Sequence, residues 1–274
     1  MSTILQGRVN IENDVVFGAG GGRDLKCDIY TPPGEVTNAP SVLLIHGGGW
    51  IGGDRSQLKG YGVLLGRIGY VCVSTEYRLS GESIWPAQIE DVKACLRWMR
   101  THAEKLGIDP AKIAVSGNSA GGHLSLMMAT TANMPEFEGA GGNPGVDTSV
   151  AACIAFYPPT TFADNPADLA NAVKTLMGKD PSAEAMRGVS PLTHAKPGLP
   201  PVMLIHGNND TVVSAKDSFK MYDALTKADV PVELHMFAEA PHAFDAHSAP
   251  GRLCAETMAL FLDRYVAHPH KWEA

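Results

Sequence analysis

The strongest constraint on this chain is a repeated pattern of short, nearly uninterrupted apolar runs. They are SVLLIH at 41–46, YVCVSTEY at 70–77, KIAVSG at 112–117, the run at 150–157, PVMLIHG at 201–207 and PVELHMF at 231–237. A strand that is apolar along its whole length is covered on both faces. Helical patterns lie between these runs, at about Gln57–Arg67, Ala120–Thr131, Ala215–Ala228 and Arg252–Tyr265. The clearest begins at Pro86 and carries Ile89, Val92, Cys95, Leu96 and Met99 on one face before Gly107 closes it. Strands alternating with helices imply an α/β fold, a mostly parallel sheet with helices on both faces. RVNIENDVVF and RDLKCDIYTPP, joined by GAGGG, read as two further strands forming an antiparallel edge. The expectation is therefore an eight-stranded sheet in a single domain spanning 1–274. The proline-rich stretch 158–198 reads as irregular and only weakly helical, a small lid insertion over the strand ends.

Charge and composition narrow the function classes. The net charge is -7, from 22 basic and 29 acidic residues, so no basic field is available to displace phosphate counterions and no nucleic-acid partner is expected. No apolar stretch reaches the roughly 18 residues of a membrane span. The start MSTILQGRVNIEND lacks the basic-then-apolar order of a signal peptide. Cys27, Cys72, Cys95, Cys153 and Cys254 are scattered in apolar runs without a C-x-x-C pair and read as buried, reduced thiols. Together these features point to the cytoplasm, with secretion after removal of a leader left open. Exposed helices and edge strands leave room for a homodimer.

In a parallel sheet, sites gather at the carboxyl ends of the strands. After KIAVS comes Gly117-Asn118-Ser119-Ala120-Gly121, then a helix. G-x-S-x-G is a common pattern in a chain with 29 glycines, but between a strand and a helix it describes a tight turn that lifts a serine hydroxyl above the sheet. After SVLLI comes His46-Gly47-Gly48-Gly49-Trp50, where small residues leave backbone N–H groups free to hold an oxyanion. Gly48, Gly49 and Ala120 are the expected donors, and His46 is expected to brace the loop. A phosphate loop does not fit, since no G-K-[ST] follows. Asp210 follows PVMLIHG and His242 follows PVELHMF, which gives the order Ser119, Asp210, His242 for nucleophile, acid and base. His247 is the rival base, whereas His235 lies mid-strand and His206 ends a strand in front of the acid. Asp245 and Asp217 are rival acids. Trp50, Trp85 and Phe162 are candidates for lining the substrate pocket. Gly18–Arg23 does not complete a dinucleotide fingerprint, and no metal-ligand spacing occurs, so neither cofactor nor metal is expected.

HGGGWIGGD, EYRLSGESIWPAQIEDVKACLRWMR, GNSAGG, HGNND and APHAF occur in the order of the α/β-hydrolase superfamily. The chain resembles its carboxylesterases, both the hormone-sensitive-lipase-like enzymes and the bifunctional feruloyl and acetyl-xylan esterases. The resemblance implies the α/β-hydrolase fold, with Ser119, Asp210 and His242 as triad and Gly48, Gly49 and Ala120 as oxyanion donors. Hormone-sensitive-lipase-like enzymes usually carry an N-terminal helical cap, whereas here the first strand pattern begins within about ten residues. The resemblance to polysaccharide-linked esterases is therefore the nearer one, and it implies a serine esterase acting on short acyl groups such as acetyl, on small-molecule or carbohydrate alcohols. A kynurenine-formamidase-like amidase and a non-catalytic receptor on the same fold are the alternatives.

Overall fold

The computed structural model describes residues 4–162, 167–178 and 181–270. In chain order the strands are β1 (Asn10–Gly20), β2 (Arg23–Thr31), β3 (Ala39–Ile45), β4 (Val71–Thr75), β5 (Ile108–Asn118), β6 (Cys153–Phe156), β7 (Val202–Gly207) and β8 (Val232–Phe237). The helices are α1 (Lys59–Gly66), α2 (Ala87–Thr101), the short α3 (Ala103–Leu106), α4 (Ala120–Thr130), α5 (Ala167–Met177), α6 (Ala183–Gly188), α7 (Ala215–Lys227) and α8 (Ser248–Leu262). The strands form one eight-stranded sheet in the order β1-β2-β4-β3-β5-β6-β7-β8. β2 runs antiparallel to both β1 and β4, and every pairing from β4 across to β8 is parallel.

The uninterrupted apolar runs have a direct structural reason. Successive residues of a strand point to opposite faces, so a strand covered on both sides has no polar phase. Val42, Leu44, Cys72, Ala114, Ile154, Met203 and Ile205 pack on one side with Tyr61 and Leu65 of α1 and Met258, Phe261 and Leu262 of α8. Leu43, Ile45, Val73, Val115, Ala155 and Leu204 face the other side, with Ile89, Val92 and Leu96 of α2, Leu124 and Met127 of α4, and Met221 and Leu225 of α7. All five cysteines are buried. Among the described residues no helix is long and apolar enough to cross a membrane.

Two sequence expectations need correction. The 158–198 stretch holds two helices, α5 and α6, rather than mostly irregular chain, although 163–166 and 179–180 lie outside the described residues. Val173 and Leu176 of α5 are buried against the core, a two-residue stripe too short to stand out in the sequence. The last helix begins at Ser248, four residues before the expected Arg252. Pro250 and Gly251 look like breakers. In the first turn, however, proline's missing N–H would have had no helical partner, and Gly251 N–H donates to the His247 carbonyl at 2.9 Å.

The tightest backbone approach joins β3 to the start of α4. A Cβ on Gly121 would lie 2.0 Å from the Ile45 carbonyl oxygen and 2.6 Å from that of His46. Backbone cannot yield as a side chain tip can, so Gly121→Ala should cost about 3 kcal/mol of stability. Urea denaturation monitored by circular dichroism checks this, and an unchanged midpoint would contradict the packing described.

Candidate active site

Ser119 occupies the single position between β5 and α4. Its backbone adopts φ 54° and ψ -117°, a strained conformation for a residue with a side chain. The turn is held from both directions: Ser119 N–H donates to the Phe156 carbonyl, and the Ser119 carbonyl accepts from His123 N–H, each at 2.9 Å. The strain lifts the hydroxyl off the sheet's carboxyl edge.

The structure brings Ser119, His242 and Asp210 together from three separate strand ends. His242 Nε2 lies 3.0 Å from Ser119 Oγ, and its Nδ1 lies 2.7 Å from Asp210 Oδ2. Asp210 Oδ1 accepts the N–H groups of Val212 and Val213 at 2.8 and 2.9 Å. Burial alone would push the Asp210 carboxyl up, but His206, His242 and the Val213 N–H outweigh it and hold the group well below the usual carboxylate range. The rival residues have other partners. His235 is in mid-β8 beside Glu233, and His247 caps α8. Asp217 accepts from Thr160 N–H at 2.8 Å. Asp245 is buried and accepts Tyr61 Oη–H, Tyr157 Oη–H and an Asn118 amide hydrogen at 2.7, 2.5 and 2.7 Å. The Tyr157 ring in turn stands edge-on to the His242 imidazole, 4.6 Å between centres. Asp245, a rival acid by sequence, thus acts behind His242 rather than as its partner, and no motif in the sequence marks Tyr157.

Gly48, Gly49 and Ala120 line the same cavity as Ser119 and His242, a space of about 520 Å³. Among the described residues none of their three N–H groups has a backbone acceptor. Gly48 has φ 114°, and a Cβ there would collide with the Gly52 carbonyl at 2.2 Å, so the loop's course requires glycine. His46 is buried beneath the loop, with Nδ1 2.8 Å from the Gly47 carbonyl and its ring stacked on Tyr77 at 4.3 Å. Trp50 is buried and lines the cavity. Trp85 does not reach it. Its ring packs on His123 and Phe137, and its backbone N–H donates to the Leu176 carbonyl, so it serves packing beneath the inserted helices. Phe162 likewise packs on Trp50 and His123 outside the cavity lining. From the inserted helices, Ala172 of α5 closes over Gly49, while Val212 stands half-exposed among the lining residues.

Sheet order, serine elbow and glycine loop together define an α/β-hydrolase. The BD-FAE family model matches residues 27–225, and the chain belongs to that family. It is 33% identical over 267 residues to "Probable carboxylic ester hydrolase LipM" of Mycobacterium tuberculosis, covering 93% of this chain and 61% of that protein. The chain spans only 61%, 58% and 61% of the lengths of three such mycobacterial relatives. Among solved structures, a truncated carbohydrate esterase from gut microbiota superposes with a TM-score of 0.86 at 25% identity, over 97% of this chain and 100% of that one. A thermophilic esterase of Thermogutta terrifontis with propionate bound gives 0.82 at 26% identity, over 96% and 97%.

The floor behind the glycine loop carries a titratable group. His123 is fully buried, stands edge-on to Trp50 at 5.2 Å, and donates from Nε2 to the Val189 carbonyl at 2.7 Å. Burial pushes its imidazole down to about 4, the Val189 bond only partly opposing this. The unfolded chain takes up this proton near pH 6.5 and the folded one does not. His123 therefore lowers stability as pH falls from about 6.5 towards 4. His123→Phe should reduce the proton uptake linked to unfolding near pH 5 by about one proton, measured from the pH dependence of urea unfolding. An unchanged slope would show that His123 is protonated in the fold.

Proposed function

We propose that this protein is a serine carboxylic-ester hydrolase working through an acyl-enzyme. The observation that carries the reading is the continuous chain Ser119 Oγ, His242 Nε2, His242 Nδ1, Asp210 Oδ2, with links of 3.0 and 2.7 Å, opening into one cavity with the glycine loop. His242 takes the Ser119 proton as the oxygen forms a bond to the ester carbonyl carbon. The carbonyl π pair moves onto its oxygen, which the N–H groups of Gly48, Gly49 and Ala120 receive. As the pair returns, the carbon–oxygen bond to the alcohol breaks, and His242 delivers the proton to the leaving oxygen. Water then repeats the sequence on the acyl-serine, releasing the carboxylic acid. Asp210 fixes the imidazole tautomer and stabilises the imidazolium. The inserted helix α5 serves as the small lid, through Ala172 over Gly49.

Ser119→Ala should lower kcat/KM by about 10⁴ or more and abolish the covalent mass adduct with a fluorophosphonate, with the fold retained by circular dichroism. Near-normal turnover by that variant would refute the mechanism.

The substrate reading is a short acyl group, acetyl above all, on a carbohydrate or similar alcohol. It draws on the resemblance of HGGGWIGGD and the YRLS to PAQIEDV segment to polysaccharide-linked esterases. It also draws on the carbohydrate esterase and the propionate-bound esterase among similar structures. Beyond Ser119 and His242, the cavity presents polar groups from Gln57, Tyr61, Asn118, Tyr157 and Asp245 beside its small and apolar neighbours. A panel of nitrophenyl esters should give highest kcat/KM for acetyl, and acetylated xylan or glucose should release acetate. Activity rising steadily with acyl length, with acetylated sugars untouched, would overturn this specificity and leave the serine mechanism standing.

A further inference from the structure

The acid Asp210 has a second imidazole against it. Its side chain is completely enclosed, as is that of His206, the next-to-last residue of β7. His206 Nε2 lies 3.3 Å from Asp210 Oδ2, the same oxygen that faces His242 Nδ1 at 2.7 Å. It also lies 3.0 Å from the Val213 carbonyl oxygen. Both of these neighbours are acceptors, so Nε2 carries hydrogen. On the other side of the ring, Nδ1 lies 2.7 Å from the hydroxyl of Ser218, a buried residue of α7. The Val213 carbonyl and the Asp210 carboxylate thus set hydrogen on Nε2, and the Ser218 hydroxyl, which can donate, satisfies the bare Nδ1.

We propose that His206 is a positioning residue for the reaction: with its Nε2–H anchored on the Val213 carbonyl, it holds the Asp210 carboxylate at the angle from which Oδ2 can receive His242 Nδ1–H. The proposal rests on Ser119, His242 and Asp210 being the catalytic set. Its physical basis is the rotational freedom of a carboxylate. The Val212 and Val213 N–H groups grip Oδ1 only. Oδ2 projects towards His242, and a single neighbour would let it swing with the imidazole. With His242 Nδ1 at 2.7 Å and His206 Nε2 at 3.3 Å, two imidazoles flank this oxygen and limit its swing. The Val213 carbonyl ties His206 to the same turn that grips Oδ1, so acid and brace move as one body.

Substitutions at His206 separate this role from packing. Glutamine places an amide N–H near the position of Nε2. Asparagine is too short for that and places its amide near Nδ1, facing Ser218. Both are polar replacements in one buried space. We expect kcat of His206→Gln within about threefold of the unaltered protein, and that of His206→Asn and His206→Phe about 10–100-fold lower, with KM changed less than about twofold. Rates of fluorophosphonate labelling should fall in the same proportion, since labelling needs the same activated Ser119. Combining His206→Phe with Asp210→Asn should cost little beyond Asp210→Asn alone, because a brace matters only while its carboxylate is present. If the Phe variant does not fold, the Gln and Asn variants decide, the latter pair also combined with Asp210→Asn. Equal kcat for Gln and Asn, or a full multiplicative loss in the double variant, would overturn the proposal. Should Asp210→Asn alone leave kcat unchanged, the catalytic set itself would be wrong, a result distinct from failure of the brace.

Discussion

Everything at the site depends on how closely two pieces of backbone approach. The first turn of α4 lies against the carbonyls that end β3, at a distance that Gly117 and Gly121 allow and a Cβ would not. This contact sets the N–H of Ala120 beside the loop of Gly47 to Gly49, so that the Ser119 hydroxyl and the proposed oxyanion donors share one cavity. A methyl group between the two segments would open the gap by more than an ångström. Hydrogen bonds to a developing charge weaken steeply over such distances. The strained Ser119 backbone belongs to the same constraint, because the chain must reverse within one residue to keep α4 so close.

Two buried carboxylates organise the base between them, and they do so by different means. Asp210 meets His242 directly, accepts two N–H groups of a turn, and has the Nε2 of a second histidine 3.3 Å away. Asp245 never touches His242. It takes hydroxyl hydrogens from Tyr61 and Tyr157 and an amide hydrogen from Asn118, the residue next to the nucleophile. Through Tyr157 it sets an aromatic edge against the imidazole. The base is thus held by an ionic hydrogen bond on one side and by a ring contact on another. Each carboxylate is stabilised by donors that would otherwise be buried without partners.

The parts legible in the sequence were those in which one residue's role follows from its immediate neighbours. Ser119 and Asp210 each follow a buried apolar strand and His242 the half-buried edge strand, so their placement at one edge follows from the parallel sheet. Gly48 and Gly49 were legible for the same reason. Trp85 was misread because an aromatic in a loop before a helix looks the same whether it faces a cleft or, as here, His123 and Phe137. Helices α5 and α6 were missed because their apolar stripes are short and their burial comes from contacts with distant residues. His206 and Asp245 were seen only as rivals to the triad, since nothing local states which carboxylate a given imidazole will face.

Local sequence pattern is enough for the mostly parallel sheet, for the edge on which the cavity lies, and for the placement of Ser119, Asp210 and His242 after three strands. Those properties are periodic or local, and a run of six residues is enough to express them. Which oxygen meets which nitrogen, which tautomer His206 adopts, and the place of Tyr157 and Asp245 behind His242 come from long-range packing alone. These depend on side chains up to 184 positions apart in the chain, as with Tyr61 and Asp245. Their meeting is set by close packing of the whole core, which no local pattern encodes.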